Sequence, residues 1–454
     1  MRRWRPALWL LLAAALLGPA CGEGPPRPRH VLVVLIDTQR ADRLSCFGYD
    51  RETSPGIDAL ARRGARFANV TAQSSWTAAS MVSLFTGRHL AEECLRVPEH
   101  LPSLPVLFQE AGYDTGAFVV NPLVHIEENG FRRGFRRFEA GGDLGRIRRW
   151  ILAAAERERD TFTYVHFVDP HDPYAPLPEY HRFVGEPANF PPALRAYYRS
   201  ALVDLGLEGD PAALRAIERG WNGYDDDVVL VDSKVQILVK ALAASGQLED
   251  SLIVVASDHG EGLWTRPKFE HRLPDEGPRT LENTHKVTHG NQLYEELVRV
   301  PLVIAGPGVP AGVVVDAPVQ NVDLLPTLCE LADLPLPAGL SGRSLVALMR
   351  SPRAAAPGEG FAVTKLVVSL RSEDGLKLIE PTEEGRALGI ESELYDLRTD
   401  PFERTNLAAE RPAAVRALRR RIEERLATGL RSAPGEWELS EANAEAMRAL
   451  GYTE

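Results

Sequence analysis

The fold class follows from one stretch of the sequence, HVLVVLID at residues 30–37. It is an uninterrupted apolar run rich in β-branched residues, which is typical of a strand buried on both faces of a parallel sheet. Ligands bind beyond the carboxyl ends of the strands in such sheets. The stretch therefore predicts a central parallel strand that ends at a candidate functional carboxylate, Asp37.

Strand-like and helical patterns alternate outward from this stretch. The strand-like runs are at residues 115–120, 162–168, 252–256 and 302–304, and the helical patterns are at residues 57–63, 104–111, 227–244 and 412–426. Such alternation predicts an α/β doubly wound sheet. Beyond a Pro-, Ala- and Gly-rich boundary near residues 351–360, strand patterns at 362–370 and 376–379 predict a smaller α+β subdomain.

The chain divides into five segments. Residues 1–21 carry three arginines before a short apolar run and end in a lipobox-like Cys21, which is typical of a bacterial lipoprotein signal. Residues 22–29 form a tether, 30–350 the main domain, 351–430 the small subdomain and 431–454 a tail. We expect an exported cell-envelope lipoprotein, periplasmic or outer-membrane, with membrane association through lipidated Cys21. An uncleaved N-terminal anchor is the alternative, and it also places the domain outside the cytoplasm.

Charge and cysteine content exclude two classes of protein. The net charge is −11 at pH 7, which argues against a nucleic-acid partner. Cys46, Cys94 and Cys329 are scattered without metal-ligand spacing, so no disulfide framework is implied. We expect each of these three cysteines to be a buried, small apolar residue.

A hydroxyl-rich stretch, SSWTAAS at residues 74–80, opens a helical run and contains the candidate nucleophile Thr77. The exposed N–H groups and the positive end of a helix favour an anion beside them, which suits a nucleophile at this position. The alternative is an N-cap, in which the hydroxyl accepts from backbone N–H groups two or three residues further on. The residue type alone does not separate these two interpretations.

Asp37, Thr77, Asp258 and His259 together predict a metal site. They offer carboxylate, alkoxide and imidazole donors, a set that suits zinc or manganese better than calcium, with one or two ions. A cation bound to Thr77 would lower the pKa of its hydroxyl and so generate the nucleophile. The alternatives are that the aspartates cap the helices that follow them and that His259 is a satisfied polar residue.

Collinear motifs across nearly the whole mature chain resemble the sulfatase family of the alkaline phosphatase superfamily. The matching stretches are LIDTQRAD (35–42), TSPGIDAL (53–60), SLFTGR (83–88), SDHGE (257–261), HGNQLYEE (289–296), RVPL (299–302), DLLPT (323–327) and LYDL (394–397). The resemblance implies that family's doubly wound mixed sheet with a smaller C-terminal α+β subdomain. It also implies ester hydrolysis assisted by a divalent metal.

Several positions depart from the family's pattern. Thr77 stands where the family keeps the cysteine or serine that becomes formylglycine, and threonine cannot be converted. Thr38 replaces a second aspartate, His259 replaces an asparagine, and Met81 replaces an arginine. These departures resemble four groups of phosphoryl-handling relatives, namely phosphonate monoester hydrolases, nucleotide pyrophosphatase/phosphodiesterases, phosphoethanolamine transferases and lipoteichoic acid synthases. Several of these relatives use a threonine nucleophile.

The resemblance also implies roles for single residues. Thr77 would be the nucleophile beside the metal ligands named above, and Asn121 would donate to a substrate oxygen. His171 and His289 would be second-metal or leaving-group residues, and Asp169 is a weaker metal candidate. We therefore expect a covalent ester of Thr77 that water resolves.

One long stretch, residues 264–288, separates the SDHGE motif from the HGNQLYEE motif by more than the family usually has. It is rich in charge and proline, and it is either a lid that shapes specificity or a surface loop. His285 lies within it. We expect His285 and His166 to be structural, because lone histidines are more often structural than ligands.

The function expected from these features is hydrolysis of sulfate or phosphate/phosphonate esters on a small molecule, a glycan or a lipid. One alternative is a transferase that moves a phospho-head group onto a periplasmic glycan or lipid, although such enzymes usually carry several membrane spans. A second alternative, from another class, is a lipid-anchored pseudoenzyme that binds anionic glycans. A binding protein has no need of a complete nucleophile and ligand set, which favours the hydrolase.

Overall fold

The structure is a computed structural model that describes residues 27–188, 190, 198, 202–203, 211–263, 289–353, 358–431, 441, 444–445 and 448. The predictions for Cys21 and the signal segment, for residues 264–288 with His285, and for most of the tail lie outside the described residues. No helix within the described ranges is long and apolar enough to cross a membrane.

A mixed sheet of nine strands forms the centre of the described chain. In chain order they are β1 (His30–Ile36), β2 (Ala65–Thr71), β3 (Asp114–Val119), β4 (Arg137–Ala140), β5 (Thr161–Phe167), β6 (Ser251–Ser257), β7 (Arg299–Ala305), β8 (Val313–Val315) and β9 (Val319–Gln320). Their order across the sheet is β4-β3-β5-β1-β6-β7-β2-β8, and β9 also pairs with β2. β1 lies between β5 and β6 and is parallel to both, whereas β7 is antiparallel to β6 and β2.

α-Helices with the following bounds accompany the two sheets. They are α1 (Pro55–Arg63), α2 (Thr77–Thr86), α3 (Leu104–Glu110), α4 (Pro122–His125), α5 (Leu144–Glu156), α6 (Pro211–Ala244), α7 (Glu295–Val298), α8 (Leu324–Leu331), α9 (Val346–Arg350), α10 (Glu383–Ala387) and α11 (Pro412–Thr428). α6 begins well before residue 227, where the sequence pattern starts. Gly220, Gly223 and the acidic side chains around Asp225 weaken the helical signal of its first half.

The apolar core lies on both faces of the large sheet. Every residue of β1 is buried, and successive side chains point to opposite faces. The odd-numbered residues pack in a cluster with Val82 and Phe85 of α2, while the even-numbered ones pack with Val228 and Leu238 of α6. Helices therefore cover both faces, and the predicted α/β doubly wound fold is confirmed.

A second, smaller sheet contains β10 (Gly360–Val363), β11 (Val367–Arg371), β12 (Leu376–Pro381) and β13 (Glu393–Asp396), each antiparallel to the next. The sequence pattern suggested one strand over residues 362–370, which is wrong. A turn divides it, because the Thr364 N–H donates to the Val367 carbonyl at 2.8 Å. The apolar side chains continue through this turn, so hydropathy alone conceals it.

The prediction that the three cysteines are buried is confirmed for two of those that the structure describes. Cys94 and Cys329 are buried, whereas Cys46 is only half-buried. None of these three forms a disulfide.

Candidate active site

The strand register brings three polar side chains to one edge of the sheet. Ile36 of β1 lies beside Phe167 of β5 and Ser257 of β6, so these three strands end at the same level. Asp37 and Asp258 are the next residues of β1 and β6, and His166 lies one residue before the end of β5. We call Asp37, His166 and Asp258 the edge cluster. All three side chains are fully buried.

The edge cluster has the donor atoms and spacing of a cation site. One ligand atom from each residue lies within 4.8 Å of the other two. Asp37 Oδ1, His166 Nε2 and Asp258 Oδ2 are buried and have no hydrogen-bond partner among the described residues. Two carboxylates and an imidazole buried in this way are costly unless a positive charge compensates them. Two oxygens and one nitrogen fit a transition-metal cation, so the residues present are suited to the metal that the sequence predicts.

Electrostatics within the cluster shows the repulsion that a cation would relieve. Burial raises the pKa of the Asp258 carboxyl, and the negative charge of Asp37 raises it further. Burial also opposes ionisation of Asp37, but the neighbouring imidazoles of His166 and His171 outweigh it and hold the pKa of Asp37 below its usual range. One carboxylate is therefore stabilised as an anion at the expense of the other.

Thr77 is the first residue of α2, but its hydroxyl does not cap the helix. The N-cap is Trp76, and no side chain donates or accepts there. Thr77 Oγ1 instead lies 3.1 Å from Nε2 of His259, and both side chains are fully buried. Ser80, one turn further on, donates to the Asp258 carbonyl at 2.6 Å and joins α2 to the end of β6. The N-cap alternative is thus wrong for Thr77.

His259 presents its Nε2 lone pair to the same space. Its Nδ1 lies 3.0 Å from the Gly260 carbonyl, which can only accept, so Nδ1 carries the proton of the neutral ring. Nε2 lies 3.4 Å from Asp258 Oδ2 and 3.7 Å from Asp37 Oδ1. The lone pair is therefore available either to the Thr77 hydroxyl or to a cation among these atoms.

Asn121 lies at the end of β3 and orients Asp37 in this structure. Its Nδ2 donates to Asp37 Oδ2 at 2.7 Å, and its Oδ1 accepts from Leu123 N at 3.0 Å at the start of α4. An amide carries two N–H donors, and among the described residues only one of them makes a hydrogen bond here. The sequence suggested a donor to substrate, and the structure adds a role in holding Asp37.

His289 lies beside His259, His171 lies beside His289, and both are outside the edge cluster. The ring centroid of His289 is 4.6 Å from that of His259 and 4.8 Å from that of His171. Nδ1 of His171 donates to the Asp172 carbonyl at 2.6 Å. Burial, followed by the charges of His259 and His171, lowers the pKa of His289. The ligand atoms of these two histidines are not part of the edge cluster.

Two residues near the site were absent from the sequence-based set. Glu261 is fully buried, and its Oε1 lies 3.3 Å from Nδ1 of His289. His166 was expected to be structural, and the structure places it in the edge cluster. His166 could have been found only from its position on β5, a strand that ends level with Asp37. That position is known only once the pairing of β5 with β1 is known.

Asp169, the weaker metal candidate, is not brought into the edge cluster. Its carboxylate pairs with Lys234 of α6, and both side chains are about one-fifth exposed, at 24% and 20%. A lysine that already neutralises a carboxylate competes with a cation for it. The structure therefore does not support Asp169 as a ligand.

Thr38 follows Asp37 with a strained backbone. Its φ is 55°, in the left-handed region that β-branched residues rarely adopt. Thr38 N donates to Asp258 Oδ1 at 3.3 Å, and its carbonyl accepts from the hydroxyl of Tyr224 at 2.7 Å. Such strain costs about 1 to 3 kcal/mol and is typically held in place at functional sites. Here it turns the chain sharply after Asp37.

Comparisons with known proteins show the family of the chain. The Sulfatase family matches residues 29–146 and 143–334 of the chain. A Delta 4,5-hexuronate-2-O-sulfatase from Bacteroides thetaiotaomicron is 25% identical over 464 residues, covering 88% of this chain and 88% of that protein.

Two solved structures show the same fold at low sequence identity. The phosphonate monoester hydrolase of Agrobacterium radiobacter has a TM-score of 0.67 at 20% identity, covering 91% of this chain and 98% of that chain. A second solved protein, determined in complex with its substrate D-glucosamine-2-N,6-O-disulfate, has a TM-score of 0.66 at 20% identity. The match covers 89% of this chain and 98% of that chain.

The fold and the relatives define an ester hydrolase of the alkaline phosphatase superfamily, a class that cleaves sulfuric or phosphoric esters. Within that class the chain belongs to the sulfatase family.

Proposed function

We propose that the protein is a metal-dependent hydrolase of sulfate or phosphate/phosphonate esters that uses Thr77 as its nucleophile. The contact between Thr77 Oγ1 and His259 Nε2 at 3.1 Å carries the proposal. A buried hydroxyl that donates to an imidazole, next to two carboxylates and at a helix N-terminus, has the surroundings of an activated nucleophile. The ligands would be Asp37, Asp258, His259 and Thr77, with zinc or manganese favoured over calcium and one or two ions bound.

The chain's own residues supply the following steps. Thr77 Oγ attacks the phosphorus or sulfur atom and gives its proton to solvent, because the Nε2 lone pair of His259 would be held by the cation. The bond to the leaving alkoxide breaks, and that oxygen takes a proton from the imidazolium form of His171 or of His289, a form that burial disfavours at His289. Water then attacks the Thr77 ester at phosphorus or sulfur and gives one proton to Thr77 Oγ, which restores the hydroxyl and releases sulfate, phosphate, a phosphate monoester or a phosphonate according to the substrate. A divalent cation among the same ligands would lower the pKa of the Thr77 hydroxyl and neutralise developing charge.

The chemistry of Thr77 favours phosphate or phosphonate esters over sulfate esters. A formylglycine hydrate can expel sulfate by reforming its aldehyde, and threonine has no such route. A Thr77 ester must instead be broken by a second attack at the same central atom, which is the usual course of metal-assisted phosphoryl transfer.

The substrate carrier and the location of the protein are further parts of the proposal. Relatives named for hexuronate and glucosamine sulfates support a small molecule or a glycan, and a lipid ester fits the same chemistry. We propose export to the cell envelope with a lipid on Cys21, from the signal-like sequence of residues 1–21. Radiolabelled fatty acid in the wild-type protein and in Cys21→Ala tests the lipid, since only the wild type should carry the label.

The test measures turnover of four matched substrates: an aryl sulfate, a phosphate monoester, a phosphodiester and a phosphonate. The metal content of the same protein samples is measured alongside. Thr77→Ala should lower turnover of the preferred ester at least about a thousandfold while the protein stays folded. Ser83→Ala is the matched control, because Ser83 is another fully buried hydroxyl of α2. Intact turnover in Thr77→Ala would exclude the nucleophile, and a preference for sulfate would exclude the phosphoryl assignment.

A further inference from the structure

His166 is the member of the edge cluster that no sequence pattern assigned to the metal. It lies on β5, fully buried, with Nε2 3.5 Å from Asp37 Oδ2. That oxygen already accepts from Asn121 at 2.7 Å, and His166 Nε2 makes no hydrogen bond among the described residues. A 3.5 Å approach is too long for a useful hydrogen bond to a carboxylate. The other nitrogen of the ring therefore decides what Nε2 does.

Tyr164 contacts that other nitrogen from two residues earlier on the same strand. Its hydroxyl lies 3.1 Å from His166 Nδ1 and 3.5 Å from the sulfur of Met81 on α2. A thioether sulfur can only accept, whereas a phenol both donates and accepts. If the phenol O–H donates to the Met81 sulfur, its oxygen accepts from His166 Nδ1–H. Nε2 then carries a lone pair directed at the two carboxylates.

The opposite arrangement would turn an N–H, and not a lone pair, towards the two carboxylates and so prevent ligation by Nε2. If the phenol donates to His166 Nδ1, Nε2 carries the hydrogen and faces Asp37 Oδ2 at 3.5 Å. The Met81 sulfur, which only accepts, gives the phenol O–H a partner other than His166 Nδ1 and so favours the ligating form of the ring.

We propose that His166 Nε2 is a further ligand of the cation held by Asp37 and Asp258, and that Tyr164 and Met81 fix the ring in its ligating tautomer. The inference rests on the proposed metal dependence and extends the ligand set beyond the residues implied by the resemblance. Tyr164 is a positioning residue in this arrangement, since it acts through His166. Residues around a metal ligand commonly act in this way, and their loss typically weakens metal affinity about 10- to 100-fold.

The first measurement is zinc affinity of the metal-free protein by competition with a fluorescent chelator. His166→Ala should bind zinc at least about tenfold more weakly than wild type, and Tyr164→Phe and Met81→Leu should lower affinity in the same direction. Tyr113→Phe is the matched control, because Tyr113 is a buried tyrosine whose hydroxyl donates to the Pro28 carbonyl instead. It should bind zinc like the wild type. Thermal melts of each metal-free variant separate lost ligation from lost folding.

The second measurement is the tautomer itself, read from nitrogen-15 chemical shifts of labelled histidine with and without zinc. The wild type should show His166 with Nδ1 protonated, and Met81→Leu should move the proton to Nε2 in the metal-free protein. Wild-type zinc affinity in His166→Ala, or a protonated Nε2 in the zinc-loaded wild type, overturns the inference alone. A wild-type protein that binds neither zinc nor manganese overturns the metal dependence of the proposed function as well.

Discussion

Two groups of buried charges in this molecule are built in opposite ways. In the first, which we call the lysine network, Lys377 of β12 lies 2.9 Å from Glu295 Oε1 and 2.9 Å from Glu403 Oε1. Arg371 contacts the other oxygen of Glu295 at 3.1 Å, and the other oxygen of Glu403 accepts from Glu295 N at 2.7 Å. In the second group, the edge cluster, two carboxylates lie together, and one atom of each residue has no hydrogen-bond partner in the described part of the chain.

The contrast separates a structural role from a functional one. Opposite charges in the lysine network compensate one another, so the network needs nothing from outside the chain. The edge cluster combines two like-charged carboxylates with an imidazole that offsets them only in part, so an external cation would stabilise it. Burial alone therefore does not identify an active site, whereas buried like charges point to one. Substitutions in the two groups should therefore have opposite effects on activity and stability.

The largest effect should come from Asp258→Asn. Loss of one carboxylate from the edge cluster should lower turnover at least about a thousandfold, about 4 kcal/mol of transition-state stabilisation. Stability of the metal-free protein should not fall, because the change removes repulsion with Asp37. Asp232→Asn is the control, since Asp232 is a buried carboxylate that accepts from Gly56 N and Ile57 N at the start of α1. It should lose stability and keep activity. The opposite pattern would contradict the contrast.

Lys377→Met should give the reverse result. It leaves the carboxylates of Glu295 and Glu403 buried without their ammonium, which should cost about 3 kcal/mol of unfolding free energy. Turnover per folded molecule should change little, because the lysine is not among the site residues. Urea denaturation and active-site titration measure the two quantities. A stable but inactive Lys377→Met would show that the network serves catalysis.

Added metal should stabilise the wild-type protein through the edge cluster. At about 100 times its dissociation constant, a cation that binds only the folded state adds about 2.7 kcal/mol. The rise in melting temperature should disappear in Asp37→Asn and persist in Lys377→Met. An equal rise in Asp37→Asn would place the metal elsewhere.

The stability that the lysine network contributes should be lost over a defined range of acidic pH. Burial raises the pKa of Glu295, but Lys377 and Arg371 outweigh it and lower that pKa to about 2. A folded-state pKa below the unfolded value of about 4.3 means that the folded protein binds fewer protons, so this stability is present above about pH 4.3. It is lost as the pH falls towards about 2. Unfolding free energies measured across this range should show the loss in the wild type and a smaller loss in Lys377→Met.

The smallest effect should come from Asp169→Asn. The pair with Lys234 is partly exposed, and such pairs contribute about 0 to 1 kcal/mol. Turnover and zinc affinity should stay close to those of the wild type. A large loss of zinc affinity would return Asp169 to the ligand set.

Much of the fold could be predicted from periodicity. β1 was predicted at residues 30–36 and is observed there, because a run buried on both faces has no polar residue to blur its limits. β7 extends from Arg299 to Ala305 although its clearest apolar signal is residues 302–304, since pairing with β2 and β6 lengthens it. The first half of α6 was missed because tertiary ion pairs, such as Asp225 with Arg43, satisfy its charged side chains.

The site was predictable only in part. Asp37, Asp258, His259 and Thr77 stand in motifs, and the structure brings them together. His166 could not be assigned, because its neighbours along the chain are apolar and say nothing about the strand beside it. Its placement depends on the parallel pairing of Leu35 with His166.

The sequence by itself determined the fold class and the polar residues that end its strands, because local hydropathy sets which segments become buried strands. Only the tertiary structure decided which of those polar groups meet. Thr38 and Asp258 are 220 residues apart along the chain and in hydrogen-bond contact in the fold. Strand register, the start of α2 at Thr77 and the hydrogen-bond partners of each imidazole depend on packing between distant segments, and no local pattern encodes them.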